Sequence, residues 1–309
     1  MYLNHITYAL SDQPSDLSTL CERGEFSKNE ALFFEKMMGL KYISRMAHVS
    51  TLALIEKTLS RFFSESQVNK KSVKYFLFAH TSDCVAPFEI NITKKLLDDF
   101  ELDHAISFSA TINKCATIFH LLKISKSLFT NLQKNEQIIL LIADSTFTKI
   151  LRTIPGSTVL GDAATVLLLS KQENQSQFID ALIETDGRFA SGNFASHKEQ
   201  LLFQSIYVQK LGEIILSIVN RNSLSIEQIK YIFPHNVNLL SWYQVAAAIH
   251  MPIEKIYLKN ISKTGHCFGS DPFINLKDGI SAGLISPGDY YLLVTVGLGA
   301  TFSAILFQY

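Results

Sequence analysis

Several landmarks of enzyme chemistry are missing from this 309-residue chain. It has no GxSxG nucleophile elbow, no GxxxxGK[ST] phosphate loop and no HExxH zinc helix. The glycine-rich GLGATF at 297–302 closes a strand pattern with no helix after it, which makes it a poor dinucleotide fingerprint. His266 and Cys267 are adjacent and lack zinc-ligand spacing, so no metal site is expected, and no organic cofactor either. Charge of one sign is also lacking: Lys+Arg and Asp+Glu are 28 each. That balance argues against nucleic acid or an anionic membrane as the main partner, since both call for a basic excess. Cysteine is sparse, with Cys21, Cys84, Cys115 and Cys267 and no CxxC pair. The opening MYLNHITYALSDQ shows no basic segment followed by a long apolar run, and no apolar run approaches the roughly 20 residues of a membrane helix. The expectation is a soluble cytoplasmic protein with reduced thiols.

Apolar residue is plentiful, at 47% with a mean hydropathy of +0.16, enough for a sizeable core. It is arranged as a repeat. VKYFLFAH at 73–80 resembles IKYIFPH at 229–235. After the first come a helical stretch (ITKKLLDDFEL), a short strand (AISFS), the Cys115 turn, a helix (TIFHLLKISKSLF) and the strand EQIILLIAD. After the second come a helix (LLSWYQVAAAIHM), a short strand (KIYLKN), the turn SKTGHCFGSDP, a helix (INLKDGISAGLI) and the strand DYYLLVTVG. His80 to Cys115 is 35 positions and His235 to His266 is 31. Each half ends on a further apolar strand, AATVLLLS at 163–170 and ATFSAILF at 300–307. Strands alternating with helices predict an α/β fold with a largely buried sheet, here duplicated. The halves divide near 170, giving an N-terminal half at 1–170 and a C-terminal half at 171–309, with no linker rich in Pro, Gly or Ser. Equivalent turns carrying Cys115 and His266 would converge near the pseudo-two-fold axis. Residues 145–162 have no counterpart in the second half and are expected to shape a site or an interface.

Taken alone, Cys115 reads either as a small packing side chain or as a nucleophile. The helix pattern that follows puts it at a helix N-terminus, where free N–H groups and the dipole favour a thiolate. His235, after an apolar strand and Pro234, reads alone as a hydrogen-bonded structural residue.

The order of these pieces resembles the thiolase fold, and within it the β-ketoacyl-acyl-carrier-protein synthase III group of condensing enzymes. Pro234-His235-Asn236-Val237-Asn238 resembles that group's Pro-His-Gln-x-Asn. MMGLKYISR resembles its Thr-Gly-Ile-x-x-Arg segment, LGDAATVLLL its Phe-Gly-Asp-Gly-Ala-Gly-Ala strand, and LISPGDYYLLVTVGLGATFSAIL its closing strands and glycine loop. The resemblance covers nearly the whole chain and implies a layered αβαβα arrangement of two thiolase-like halves. It implies Cys115 as nucleophile and His235 as the histidine that donates to a thioester carbonyl or serves as acid or base. His266 falls where the group has an Asn, and would stabilise an enolate or act as a base toward a heteroatom nucleophile. Near Leu298 and Gly299 a backbone N–H would face the acyl oxyanion, and Asn238 would line the substrate path.

The implied activity is acyl transfer to Cys115 from a carrier-protein or CoA thioester, then decarboxylative Claisen condensation with a malonyl-type thioester in a specialised fatty acid, polyketide or secondary-metabolite pathway. Two alternatives stay open: transfer to an oxygen or nitrogen nucleophile without decarboxylation, and a non-condensing partner subunit of an active homologue. The chain departs from the group where a Trp and an Arg clamp adenine, offering Phe33 and Met37, and where an Arg docks the carrier, offering Leu240. A dedicated acyl carrier protein or a partner subunit is therefore expected over free CoA. The resemblance also implies a homodimer, with a heterodimer of homologues as the variant.

Overall fold

The computed structural model describes all residues except 83, 84, 86–88, 147, 149, 150 and 175. Among the described residues the main sheet has nine strands, and of the nine α-helices six are named with it here. In the first half these are β1 (Tyr2–Ala9), α1 (Thr51–Ser66), β2 (Val73–Ala79), α2 (Ile92–Asp99), β3 (Ile106–Ala110), α3 (Thr117–Leu128), β4 (Gln137–Asp144) and β5 (Ala163–Ser170). In the second they are β6 (Gln177–Thr185), α4 (His197–Arg221), β7 (Ile229–Pro234), α5 (Leu239–Ala248), α6 (Asp271–Ser281), β8 (Tyr290–Gly297) and β9 (Thr301–Gln308).

The expected repeat is visible in the strand order. The first half runs β3-β2-β4-β5-β1 and the second β7-β8-β9-β6. In each half one parallel block meets an antiparallel one. In the first, β2 is parallel to β3 and β4, while β5 is antiparallel to β4 and β1. In the second, β7 is parallel to β8, while β9 is antiparallel to β8 and β6. A single registered pair, Tyr2 with Gln177, joins the two ladders. The strand expected at KIYLKN is reduced to one bridge, Ile256 with Ile232. Tyr257 N–H still donates to the Ile232 carbonyl, but the chain then turns into the short helix Ile261–Thr264, so no ladder extends.

Period-two alternation explains the layers. On β4, Ile138, Leu140 and Ile142 face a core between the sheets, while Ile139, Leu141 and Ala143 face outward onto Leu54, Ile55, Leu59 and Phe62 of α1. On β8, Tyr291 and Leu293 face the same inner core, while Leu292, Val294 and Val296 face Ile214, Ile218 and Trp242 of α4 and α5. Helices α3 and α6 fill the middle with Phe119, Leu122, Phe273 and Leu276. The result is the αβαβα sandwich, and it explains why these strands are apolar on both faces.

At 25 residues α4 is long and apolar enough to cross a membrane, a length that short apolar runs do not reveal. Its Leu211, Ile214, Ile215, Ile218 and Val219 are spent on the outer face of the second sheet, the ordinary packing of a core helix. Ser196 and Glu199 close a capping box at its start.

The sheets matter for function because of where the parallel strands end. The Cys115 turn follows β3, Asp144 ends β4 and His235 follows β7. All three lie at carboxyl ends of strands, where α/β sheets place their sites.

Candidate active site

Cys115 sits in a single 3-10 turn, Lys114–Ala116, that leads directly into α3. The turn is pinned from the second half of the chain. A Cβ on Gly297 would lie 2.0 Å from the Asn113 carbonyl oxygen, so only glycine lets β8 come this close. Asn113 also donates to the Thr301 hydroxyl at 3.1 Å. These contacts hold the nucleophile candidate against the closing glycine segment.

His266 is the first partner. Its Nε2 lies 3.4 Å from Cys115 Sγ, and its Nδ1 lies 2.5 Å from Asp271 Oδ2. Within 145–162, of which 147, 149 and 150 lie outside the described residues, residues 152–162 set its position. His266 N–H donates to the Val159 carbonyl, Gly161 N–H donates back to His266 O, and Leu160 packs with Cys115 and Phe268. Buried Arg152 donates to the Leu160 and Thr146 carbonyls, and Asp162 accepts from Met46 N–H and Thr146 N–H. The insertion thus forms one wall of the site. The other stretch expected to set pocket size, 81–90, lies partly outside the described residues; within it, the Thr81 hydroxyl reaches Cys115 Sγ at 4.0 Å.

The sequence does not single out Asp271. Five residues after His266, at the start of α6, it reads as an ordinary acidic first-turn residue. In the fold it is fully buried. Besides facing His266 Nδ1, its carboxylate accepts from Asn236 N–H at 2.7 Å, Asn236 Nδ2 at 3.2 Å and Cys267 N–H at 2.8 Å. Burial alone would lower the His266 pKa; the Asp271 carboxylate, with Cys115 beside it, outweighs burial and lifts it to about 10. A Cys–His–Asp set in this geometry has the arrangement that can serve as a nucleophile, a base and the group that orients the base.

His235 occupies the opposite wall. Its ring centroid is 5.8 Å from that of His266, and its Nε2 lies 2.7 Å from the Tyr207 hydroxyl. Burial, followed by the charge of His266, drives its pKa down to about 3, so it is neutral. Trp242 Nε1 and Asn275 Nδ2 donate to the carbonyls of His235 and Pro234 and fix this corner. Tyr207, half-way along α4, gives no local sequence signal; only the fold brings it to His235.

The remaining expected residues line a cavity of about 340 Å³ that Tyr207 also borders. Leu298 and Gly299 lie on it, and Gly299 has φ +118, a conformation that suits glycine. Asn238 lies on it too, but its side chain is engaged in structure. Its Oδ1 caps α5 by accepting from Ser241 N–H at 2.7 Å, and its Nδ2 donates to the Ser157 carbonyl at 3.1 Å. It shapes the wall. Leu240 borders the cavity, while Phe33 and Met37 are exposed near the adjacent Met38. The other cysteines stand apart: Cys267 is buried, which pushes its thiol up, Cys21 packs beside the outer core, and Cys84 is outside the described residues.

One pH effect follows from the triad. With a folded-state pKa near 10 against 6.5 unfolded, His266 contributes stability that is complete below pH 6.5 and lost as pH rises through about 10. Between pH 6.5 and about 9.5 the thermal midpoint should therefore fall more for the wild type than for Asp271→Asn. Equal falls would contradict the pairing.

Known proteins resemble this chain in sequence and in fold. Residues 219–309 match the family model for the C-terminal part of 3-oxoacyl-[acyl-carrier-protein] synthase III. A β-ketoacyl-[acyl-carrier-protein] synthase III of Rubrobacter xylanophilus is 28% identical over 55% of this chain and 56% of its own length. That of Aquifex aeolicus is 24% identical over 49% and 50%, so the match spans about half of these two relatives. The Phocaeicola vulgatus protein is 23% identical over 90% of this chain and 84% of its own. Among solved structures, a protein described as ChlB3, an acyltransferase, superposes with TM-score 0.86 at 14% identity over 99% and 97% of the two chains. The Aquifex aeolicus synthase III superposes with TM-score 0.82 at 16% identity over 100% and 99%. In fold and in sequence, the chain resembles the β-ketoacyl-[acyl-carrier-protein] synthase III proteins.

Proposed function

We propose that this protein is an acyltransferase that loads an acyl group from a thioester onto Cys115 and passes it to an oxygen or nitrogen nucleophile with His266 as base. The observation that carries the reading is the position of His266 between Cys115 Sγ and Asp271 Oδ2. Cys115 attacks as the thiolate, its proton held on His266 Nε2. The new C–S bond forms, the old carbonyl electron pair returns, and the donor thiolate leaves with the proton from His266. His266 is then neutral. It takes the proton of the incoming hydroxyl or amine as that group attacks the acyl carbon, and Cys115 leaves as thiolate, restoring the starting pair. Asp271 keeps the Nδ1 hydrogen in place throughout, which leaves Nε2 to do the proton work.

The cavity supports a thioester on a long, amide-bearing arm, as carried by acyl carrier proteins and CoA: Gln200, Gln204, Gln244 and Ser241 line it together with Leu298 and Gly299. The structural likeness to ChlB3 accords with transfer. The likeness to synthases supports a second reading, decarboxylative condensation. One feature weighs against it: His235 Nε2 already faces the Tyr207 hydroxyl. Supplying a malonyl thioester with a carrier or small-molecule acceptor separates the two: transfer without carbon dioxide release supports our reading, and stoichiometric release contradicts it.

The homodimer belongs to this proposal. β3 is an edge strand with Ile106 and Phe108 exposed, and Ile112 just beyond it is 86% exposed. An open apolar edge of this kind calls for a partner strand. Sedimentation should show two chains for the wild type and one for Phe108→Asp; a wild-type monomer at micromolar concentration would contradict it.

A further inference from the structure

One side of α6 is polar although it is buried. Asp271, Asn275 and Asp278 stand at positions i, i+4 and i+7, so they share that side. Asp271 and Asn275 are fully buried, while Phe273 and Leu276 of the same helix pack into the inner core. Two more buried amides meet the stripe: Asn236, just after β7, and Asn260, just before the helix Ile261–Thr264.

Each amide faces a group that can only accept. Asn236 Nδ2 lies 3.2 Å from Asp271 Oδ1, Asn275 Nδ2 lies 2.7 Å from the Pro234 carbonyl oxygen, and Asn260 Nδ2 lies 2.7 Å from Asp278 Oδ2. A carboxylate or a carbonyl has no hydrogen to give, so each amide must present its NH₂ there. The amide oxygens then fall into line. Asn236 Oδ1 accepts from Asn275 Nδ2 at 2.8 Å, and Asn275 Oδ1 accepts from Asn260 Nδ2 at 2.9 Å. Asn236 Nδ2 also reaches the Thr264 hydroxyl at 3.4 Å, so each NH₂ has two acceptors. Turning any one amide over would set oxygen against oxygen at two contacts. The line therefore has one direction, and it ends on Asp271.

We infer that Asn260, Asn275 and Asn236 are positioning residues for acyl transfer, a one-way line of amides that holds the Asp271 carboxylate turned to His266 Nδ1. Among the described residues, that carboxylate also meets the backbone N–H groups of Asn236 and Cys267 and His266 itself. Asn236 Nδ2 is thus its one side-chain donor besides the ring it orients. The direction of that donor is set from Asn275, which does not line the cavity. Apolar side chains could fill the same space; a buried polar network with every partner satisfied fixes one arrangement of its members.

The inference rests on the acyl-transfer reading of Cys115, and its test keeps the two apart. Asn275→Asp keeps the shape of the side chain and changes what it can donate. Protonated, the new carboxyl can give its one hydrogen to Asn236 Oδ1, and the line holds. Ionised, it can only accept, so Asn236 must turn its NH₂ toward it and its oxygen toward Asp271. Burial and the carboxylates of Asp271 and Asp278 raise the pH at which this happens. Single-turnover acylation of Cys115 by an acyl-pantetheine thioester is followed by intact mass from about pH 5.5 to about pH 9, a span that covers a buried carboxyl. Wild type, Asn275→Asp, Asp271→Asn and the double variant are compared, with thermal midpoints taken at each pH. The expected result is a rate at saturating donor that, relative to wild type, falls about tenfold across this span in Asn275→Asp. The half-saturating donor concentration should not change. The fall should vanish in the double variant, because an amide at 271 can turn its own NH₂ to meet the Asn236 oxygen. If Asn275→Asp does not fold, Asn236→Ala takes its place: about a tenfold slower acylation alone, and no further slowing on top of Asp271→Asn. A rate ratio flat with pH in folded Asn275→Asp, a wild-type rate in folded Asn236→Ala, or the same loss in the Asp271→Asn background would overturn the inference and leave Cys115 acylation standing. No acylation of the wild type by any thioester would overturn the acyl-transfer reading, and this inference with it.

Discussion

Asp271→Asn is expected to lower the rate of acyl transfer by about 10⁴-fold while leaving the protein folded. The substitution keeps the shape of the side chain and one carbonyl oxygen, so either the Asn236 or the Cys267 backbone N–H retains an acceptor. What it removes is the charge, and with it the reason for a hydrogen on His266 Nδ1. An amide N–H turned toward Nδ1 would force the hydrogen onto Nε2, the atom 3.4 Å from Cys115 Sγ that must receive a proton. The imidazolium would lose the carboxylate that lifts its pKa to about 10. Single-turnover transfer, measured with the thermal midpoint on the same sample, checks this. A folded Asp271→Asn with a rate close to that of the wild type would show that the aspartate only ties α6 to the His235 strand end.

His266→Asn is the second large effect, and it separates the two readings of the site. Asparagine is the residue that the resembling synthases carry at this position, so it is the mildest change available if His266 only donates to an enolate. As base, His266 has no substitute in asparagine, which cannot accept a proton. Transfer to an oxygen or nitrogen acceptor should therefore fall by about 10³-fold or more. Hydrolytic or transfer turnover retained in His266→Asn, with carbon dioxide released from a malonyl donor, would move the chain to the condensing side.

The layers were legible because strands apolar on both faces have few solutions other than burial between helices, and because β2, β4 and β5 recur as β7, β8 and β9 in the same order and sense. The site was legible in part. Cys115 and His266 could be expected to meet because equivalent turns of a duplicated fold approach the same axis, and they lie 3.4 Å apart. His235 was legible from its motif, but its surroundings were not. Tyr207 reaches it from the middle of α4, a helix whose sequence reports only that one side is apolar. Asp271 hid as a first-turn acid of α6; only the buried ring in front of it distinguishes it from any other helix start. Asn238 lines the cavity, and its motif does not reveal that its amide also caps the start of α5 and donates to the Ser157 carbonyl. The KIYLKN strand failed for a physical reason: a β-prone hexapeptide needs a neighbour along its length, and only Ile256 finds one.

Every step of the proposed chemistry passes through an acyl thioester on Cys115. The most direct measurement is the intact mass of the purified protein, alone and after incubation with a panel of acyl-carrier and acyl-pantetheine thioesters, with Cys115→Ala alongside. The expected result is one acyl-sized gain on the wild type, none on Cys115→Ala, and loss of the gain when an acceptor is added. A gain on both proteins, or on neither with any donor, would contradict it.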